Sequence, residues 1–206
     1  MNLTRIKNRL GLSDKRMCDF LKIAPDCNLK PNGLTSIFQA LVESIISQQL
    51  SVKAASCIFK RLCSLFGSQN TVRPLDIFRT SDDELRAIGI SKPKTAAIRD
   101  LTDFALSNRL PTLEQLEGMS DEAIIESLTQ IKGIGRWTVE MLLIFKLGRI
   151  DVMASSDQGL RKGFAIIEGI YPRLPSPQEL AEHAEKHWKP YRSIASWYLW
   201  RACEAY

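Results

Sequence analysis

Apolar residues recur three and four positions apart along nearly every segment of this chain, which is the spacing that one face of an α-helix requires. One such run consists of Ile37, Phe38, Leu41, Val42, Ile45 and Ile46, and the next of Val52, Ala55, Ile58, Phe59, Leu62 and Phe66. No pair of segments alternates apolar and polar residues in the way that half-buried strands do. The sequence therefore predicts an all-α fold, and its 206 residues suffice for one compact unit or two small lobes.

Several helix N-termini can be placed from their capping residues. A Ser or Thr followed three residues later by Glu or Gln is the capping-box pattern, and it occurs at Ser81–Glu84, Thr112–Gln115 and Ser176–Glu179. Ser51 and Ser120 stand just ahead of further helical runs and are expected to act as N-caps. The last helix is predicted over 192–204.

The amino-acid composition limits the cellular compartment and the kinds of binding partner that can be expected. A formal net charge of +5 favours a polyanionic partner but is too small to identify one. The five cysteines are scattered without a CxxC pair, so a zinc ribbon is not expected and free thiols in a reducing compartment are. The N-terminus has no signal-peptide core, and the longest apolar run, Met141 to Phe145, is far shorter than the roughly 20 residues of a membrane span. We therefore expect a soluble intracellular protein, cytoplasmic in a bacterium or nuclear in a eukaryote.

The stretch from Leu128 to Gly163 contains the most specific pattern in the chain. An apolar helix is predicted to end at Ile131, and a second helix to begin at Arg136, with the turn Gly133-Ile134-Gly135 between them. Glycines let such a turn point main-chain N–H groups outward at a helix N-terminus, an arrangement that binds anions. In a basic protein the expected anion is a nucleic-acid phosphate. The alternative is a helical hairpin that needs glycine only at its C-cap.

The pattern of helix, Gly-Ile-Gly and helix resembles the helix-hairpin-helix module, here over about 121–147, which binds one DNA strand through main-chain amides. The resemblance implies DNA contacts at Lys132, Gly133, Gly135, Arg136 and Thr138. In modules of this type carbonyls of the turn also hold a monovalent cation, and the matching positions are Thr129, Ile131 and Ile134. No cofactor or other metal is expected. His183 and His187 have metal-ligand spacing, but without a third ligand a polar helix face is the preferred interpretation.

Two further residues are open to a structural and a functional interpretation. Asp157 stands just ahead of a predicted helix, where an N-cap aspartate contributes about 0.5–2 kcal/mol without any other role. A capping carboxylate can still turn one oxygen toward a cavity, so capping and catalysis are compatible. Trp137 follows the glycine turn and suits either core packing or, as the family resemblance described below implies, an exposed π-face for a cationic base.

Four motifs in order, from about Phe38 to Tyr198, resemble the helix-hairpin-helix (HhH-GPD) DNA glycosylase superfamily, and most closely its alkylpurine, or 3-methyladenine type II, branch. They are Ile45–Ser51, Gly133–Thr138, Asp151–Leu160 and Trp188–Ser193. The resemblance implies that residues 1–206 form one glycosylase unit of two helical lobes with an active-site cleft between them. It also implies a monomer, not bound to a membrane, that acts on double-stranded DNA containing an alkylated base or an abasic site.

The resemblance also implies a role for each matched residue. Asp157 corresponds to the catalytic carboxylate, and Trp137, Tyr191 and Met141 to the pocket for the extruded base. Trp137 occupies the position where bifunctional members have a lysine nucleophile, so a monofunctional hydrolase without strand cleavage is expected. The loop that enters the minor groove corresponds to Gln48, Gln49, Leu50 and Ser51, with Gln49 the first choice as wedge and Leu50 the second. An ordinary helix–helix connection is the alternative for this loop.

One departure from the family pattern keeps a second function open. Members often have a proline and a second acidic residue ahead of the catalytic aspartate, whereas this chain has Met153-Ala154-Ser155-Ser156. A catalytically silent homologue that binds abasic sites or distorted DNA is therefore the alternative function. A bare helix-hairpin-helix scaffold within a larger repair complex would explain the glycine turn but not Asp157 or the aromatic residues.

Overall fold

A computed structural model describes residues 3–30, 36–68 and 70–205. Within these ranges the chain is helical and contains no β-strand, as the periodicity predicts. The helices are α1 (Leu3–Ser13), α2 (Lys15–Leu21), α3 (Ile37–Ser47), α4 (Val52–Leu65), α5 (Pro74–Arg79), α6 (Asp82–Ala87), α7 (Lys92–Leu106), α8 (Leu113–Gly118), α9 (Asp121–Leu128), α10 (Arg136–Phe145), α11 (Gln158–Glu168), α12 (Pro177–His187) and α13 (Arg192–Ala205). Among the described residues, no helix combines the length and the apolar character that crossing a membrane would need.

The chain divides into two compact units, with the boundary within α10 between Val139 and Glu140. The central unit contains α3 to α9 and the start of α10. The terminal unit contains α1, α2, the rest of α10 and α11 to α13.

The capping residues begin the helices where the sequence predicts. Capping boxes form at the N-termini of α6, α8 and α12, and the Ser51 and Ser120 hydroxyls accept the amides of Ala54 and Ala123. One predicted boundary is wrong, because α9 ends at Leu128 rather than at Ile131. The amide and hydroxyl of Thr129 both donate to the Ile125 carbonyl, and the chain then tightens into short-range turns that lead to the glycines.

The terminal unit is built around a close pairing of α11 with α13. A Cβ atom on Gly163 would lie 1.9 Å from the Leu199 carbonyl oxygen, so only glycine permits this approach. Around this contact the buried core includes the large side chains of Trp188 and Tyr198, together with Leu10 and Met17 from the N-terminal helices.

The central unit is organised around α7, which packs against α3 and α5. The predicted apolar face of α3 is buried, including Ile37, Leu41 and Ile45. The glycine turn also packs against α7. Gly133 has a φ of +79°, and a Cβ there would lie 2.8 Å from the Cβ of Ala97 on α7. Glycine is therefore required at this position both by backbone conformation and by space.

Candidate functional site

Asp157 caps the N-terminus of α11, the helix that packs most closely in the terminal unit. Its Oδ1 accepts the main-chain amide of Leu160 at 2.8 Å, as an N-cap should. The same oxygen accepts the indole N–H of Trp200 at 3.1 Å. The residue is partly exposed, and two donors on one oxygen fix the orientation of its carboxylate. Capping and a directed carboxylate thus coexist at this residue.

Trp200 is the member of this arrangement that sequence reasoning missed. Its indole ring stacks on Phe145, with ring centroids 5.4 Å apart, so the N–H is aimed by ring packing. The Cδ1 atom of the indole also lies 3.2 Å from where a Cβ on Gly159 would be, which leaves little room at that position. A partly buried tryptophan usually finds an acceptor for its N–H. The sequence does not say which acceptor, because 43 residues separate the two partners.

The three residues predicted to form the base pocket are all at or near the surface of their units. Trp137 lies in the first turn of α10 and is 43% exposed, which does not fit the core-packing alternative. Met141 and Tyr191 are partly buried and pack against the core of the terminal unit. Their role with a base stays a prediction.

The glycine turn is held from below by α7. Ile134 is buried and anchors the turn. The Lys132 amide donates to Asp100 Oδ2 on α7 at 2.7 Å, so this main-chain N–H already has an acceptor inside the protein. The amides of Gly133 and Gly135 stay predicted phosphate contacts, together with those of the first turn of α10, where a helix supplies no internal acceptors. Thr138 is only 6% exposed as a residue, and its DNA contact stays a prediction.

Arg136 is held in place by an acidic partner. Its guanidinium makes a two-pronged contact with Glu122, with N–O distances of 2.7 and 2.8 Å. The hydrogen bond from Arg136 outweighs the small effect of burial and holds the pKa of Glu122 below its ordinary value. Because both side chains are exposed, the pair contributes little to stability. A DNA phosphate can therefore replace the carboxylate at small cost.

The loop between α3 and α4 turns through a residue with a positive φ just after the C-cap of α3. Gln49 has a φ of +56°, in the left-handed region of backbone conformation that residues other than glycine rarely adopt. The residue is exposed. Leu50 is 40% exposed beside it, and Ser51 is used as the N-cap of α4. Gln48 turns inward instead: its Nε2 donates to the Gly133 carbonyl at 2.9 Å. This bond links the loop to the glycine turn.

The two histidines are engaged in hydrogen bonds within the terminal unit. His183 Nε2 lies 2.9 Å from Asp14 Oδ2, and His187 Nδ1 lies 2.6 Å from the Ser13 carbonyl oxygen. The fold does supply acidic neighbours that the sequence did not suggest, since Asp14, Glu168 and His183 have ligand atoms within 4.8 Å of one another. The same Asp14 oxygen also accepts the Trp188 indole N–H, so a metal would have to displace established bonds. The cluster is best described as a hydrogen-bonded network.

The carbonyl cation site expected at Thr129, Ile131 and Ile134 stays a prediction. The Ile131 carbonyl already accepts the Ile134 amide at 3.0 Å, which is part of the tight turn itself. A carbonyl oxygen has a second lone pair, so this bond does not exclude a cation.

Comparison with known proteins adds to this geometry. The family model for the HhH-GPD superfamily base excision DNA repair proteins matches residues 42–190. DNA-3-methyladenine glycosylase 1 of Schizosaccharomyces pombe is 40% identical over 203 residues, covering 97% of this chain and 87% of that protein.

Two solved structures have the same fold. The crystal structure of a DNA-3-methyladenine glycosidase from Bacillus halodurans has a TM-score of 0.84 and 38% identity, covering 96% of this chain and 88% of that one. The 3-methyladenine DNA glycosylase Mag1 of Schizosaccharomyces pombe, in complex with abasic DNA, has a TM-score of 0.84 and 36% identity, covering 96% and 95%. This protein therefore belongs to the HhH-GPD superfamily of base excision DNA repair proteins.

Proposed function

We propose that this protein is a monofunctional DNA glycosylase that hydrolyses the N-glycosidic bond of alkylated purines in duplex DNA and so initiates base excision repair. Its substrates are 3-methyladenine and, with it, 7-methylguanine. The support is membership of the HhH-GPD superfamily, together with a relative named DNA-3-methyladenine glycosylase 1 that is 40% identical over nearly the whole chain. The observation that carries the proposal is the Asp157 carboxylate, held at the head of α11 by an amide and an indole N–H.

A single oriented carboxylate is enough for this reaction. An alkylated purine is cationic, so when the bond between C1′ of the sugar and the base nitrogen breaks, the electron pair neutralises the departing base. Positive charge then develops on the sugar, where the Asp157 carboxylate stabilises it. Water adds to C1′ and loses a proton, which Asp157 accepts or passes to solvent. No strong general acid is required, because the leaving group needs no proton.

The base must leave the helix stack before this chemistry. The exposed ring of Trp137 offers a π-face to the cationic base, a contact that contributes about 0.5–2 kcal/mol. Tyr191 and Met141 are the other residues that the resemblance assigns to the base. Because Trp137 occupies the position of the lysine nucleophile in bifunctional relatives, no Schiff base forms and the strand stays intact.

The DNA itself is held by two elements of the central unit. The first turn of α10 and Arg136 bind phosphates of one strand, and Gln49 and Leu50 at the tip of the 48–51 loop fill the gap left by the extruded nucleotide. Both tip residues are exposed, as a wedge requires.

The alternative function, abasic-site binding without excision, requires all of these DNA contacts and differs only in the chemistry. Single-turnover release of free base from methylated duplex DNA, measured beside binding to a duplex with an abasic-site analogue, separates the two. Release of 3-methyladenine with intact strands is the expected result. Tight binding to the analogue with no release would contradict the glycosylase proposal and favour the silent homologue.

A further inference from the structure

One face of α7 touches both elements that the proposed function assigns to DNA. Lys94, Ala97 and Asp100 follow one another at intervals of three residues, so their side chains lie along the same side of the helix. Lys94 contacts the loop between α3 and α4, whereas Ala97 and Asp100 contact the glycine turn.

The Lys94 side chain binds main-chain carbonyls where α3 ends and the loop begins. Its Nζ donates to the Ile46 carbonyl at 2.7 Å and to the Gln48 carbonyl at 2.8 Å. These carbonyls belong to the C-terminal end of α3, where a helix leaves acceptors without internal partners and where its dipole favours a cation. The lysine is half-buried, and burial lowers its pKa from the ordinary value. Its charge is therefore directed at main-chain oxygens rather than displayed to solvent.

The glycine turn is bound to the same face of α7 by two other residues. Asp100 accepts the Lys132 amide at 2.7 Å, and Ala97 fills the space beneath Gly133. The Gln48 side chain then closes the ring, because its Nε2 donates to the Gly133 carbonyl at 2.9 Å. The loop and the turn are far apart in sequence but share one rigid support.

We propose that Lys94 is a positioning residue for base extrusion, which holds the 48–51 loop at a fixed distance from the glycine turn through the carbonyls of Ile46 and Gln48. This inference rests on the proposed function, in which the turn grips the strand and the loop enters the gap. The two actions must occur together on one DNA molecule. A loop ordered before binding loses less conformational entropy when it inserts than a loop that DNA has to order.

The test compares three lysine variants of the full chain. Lys94→Met keeps the aliphatic stem but removes both hydrogen bonds, and Lys94→Arg restores a cation with several donors. Lys92→Met is the matched control, because it removes the same charge from an exposed position two residues away on α7. Three quantities are measured for each: single-turnover release of 3-methyladenine, binding to an abasic-site duplex, and binding to an undamaged duplex. A 2-aminopurine beside the lesion reports base unstacking by its fluorescence.

For Lys94→Met we expect release and abasic-site affinity to fall about 10–100-fold, with a matching loss of the 2-aminopurine signal. Binding to undamaged duplex should stay close to that of the unaltered protein, because the glycine turn keeps its support. Lys94→Arg should recover most of the loss, and Lys92→Met should show little change.

Two outcomes would overturn the inference. Unchanged release and unstacking in Lys94→Met would do so while leaving the proposed function intact. An equal loss of binding to damaged and undamaged duplex, shared by Lys92→Met, would show that only net charge matters. If the unaltered protein binds abasic sites but releases no base, the proposed function fails, and the binding and fluorescence measurements still decide the role of Lys94. Should Lys94→Met not fold, Lys94→Gln, which keeps one donor, takes its place in every measurement, with unchanged binding and unstacking again the contrary result.

Discussion

Two aspartates of the terminal unit occupy nearly the same local arrangement and differ in what they can do. Asp14 and Asp157 are N-caps of α2 and α11, and each accepts the amide three residues further on through Oδ1. Each also accepts an indole N–H from a distant tryptophan, Trp188 at 2.9 Å and Trp200 at 3.1 Å.

The two sites differ in burial and in which oxygen the indole contacts. Asp14 is 6% exposed, and its Oδ2 accepts hydrogen bonds from the Trp188 indole and the His183 ring. Because Oδ1 accepts the Met17 amide, both carboxylate oxygens have donors inside the protein. Asp157 is partly exposed, and its amide and indole donors both reach Oδ1. A cap closed on every side serves stability. A partly exposed cap, oriented by two donors on one oxygen, can also serve chemistry.

The largest expected effect is on catalysis at Asp157. Asp157→Asn should lower single-turnover base release by about 10²–10³, because the charge that stabilises the sugar cation is lost. Asparagine is as good an N-cap as aspartate, so the melting temperature should change little. Abasic-site binding serves as the control and should be retained. Retained turnover in this variant would remove Asp157 from the catalytic role.

The counterpart change at Asp14 should act on stability instead. Asp14→Ala removes an N-cap and leaves the Trp188 N–H without its acceptor inside the core, so the free energy of unfolding should fall by about 2–4 kcal/mol. Denaturant unfolding measures this loss. Base release per folded molecule should be unchanged, and a specific loss of release with normal stability would break the comparison.

The two tryptophans allow a matched and smaller test. Trp200→Phe keeps a ring against Phe145 but removes the N–H that orients Asp157, so release should fall about tenfold while abasic-site binding stays the same. Trp188→Phe removes the equivalent bond at Asp14 and should lower stability without slowing release. If both variants behave alike in the release measurement, the indole at Asp157 has no special role.

The smallest expected effect is the acid dependence of stability. Burial raises the pKa of Asp14, but hydrogen bonds from His183, the Met17 amide and Trp188 outweigh it and hold the pKa below the ordinary 3.8. A carboxyl with a lowered folded-state pKa contributes stability above its unfolded-state value and loses it as the pH falls through the folded-state pKa. Unfolding free energies measured from pH 6 down to the acid limit should therefore decline below about pH 4, and more weakly in Asp14→Asn. An identical decline in that variant would assign the acid sensitivity to other carboxyls.

Much of the fold follows from local patterns. The helical periodicity, the capping boxes at Ser81, Thr112 and Ser176, and the glycine turn each depend on neighbours within about four residues, so the sequence is sufficient to predict them. The end of α9 was misplaced by three residues, because the apolar pattern continues into the tight turn after Leu128. Helix ends without a glycine at the boundary are the least visible in a pattern.

The residues of the candidate site also fall into those that local sequence patterns predict and those that they do not. The order of motifs identifies Asp157, Trp137 and the 48–51 loop, since each lies within a short, recognisable stretch. Trp200 and Lys94 lie in none of the four family motifs, and their roles come from side chains that reach partners 43 to 48 residues away. The two kinds of residue differ in the distance along the chain over which they act.

The sequence by itself determined the helical class, the helix starts, the superfamily and the carboxylate expected to act on the sugar. Only the tertiary structure decided which indole orients that carboxylate, that Asp14 is buried whereas Asp157 is partly exposed, and that Lys94 and Asp100 join the loop and the turn to one helix. The physical reason is that capping and turn formation depend on local backbone groups. Hydrogen bonds between distant segments depend on how the helices pack, which no single stretch of sequence specifies.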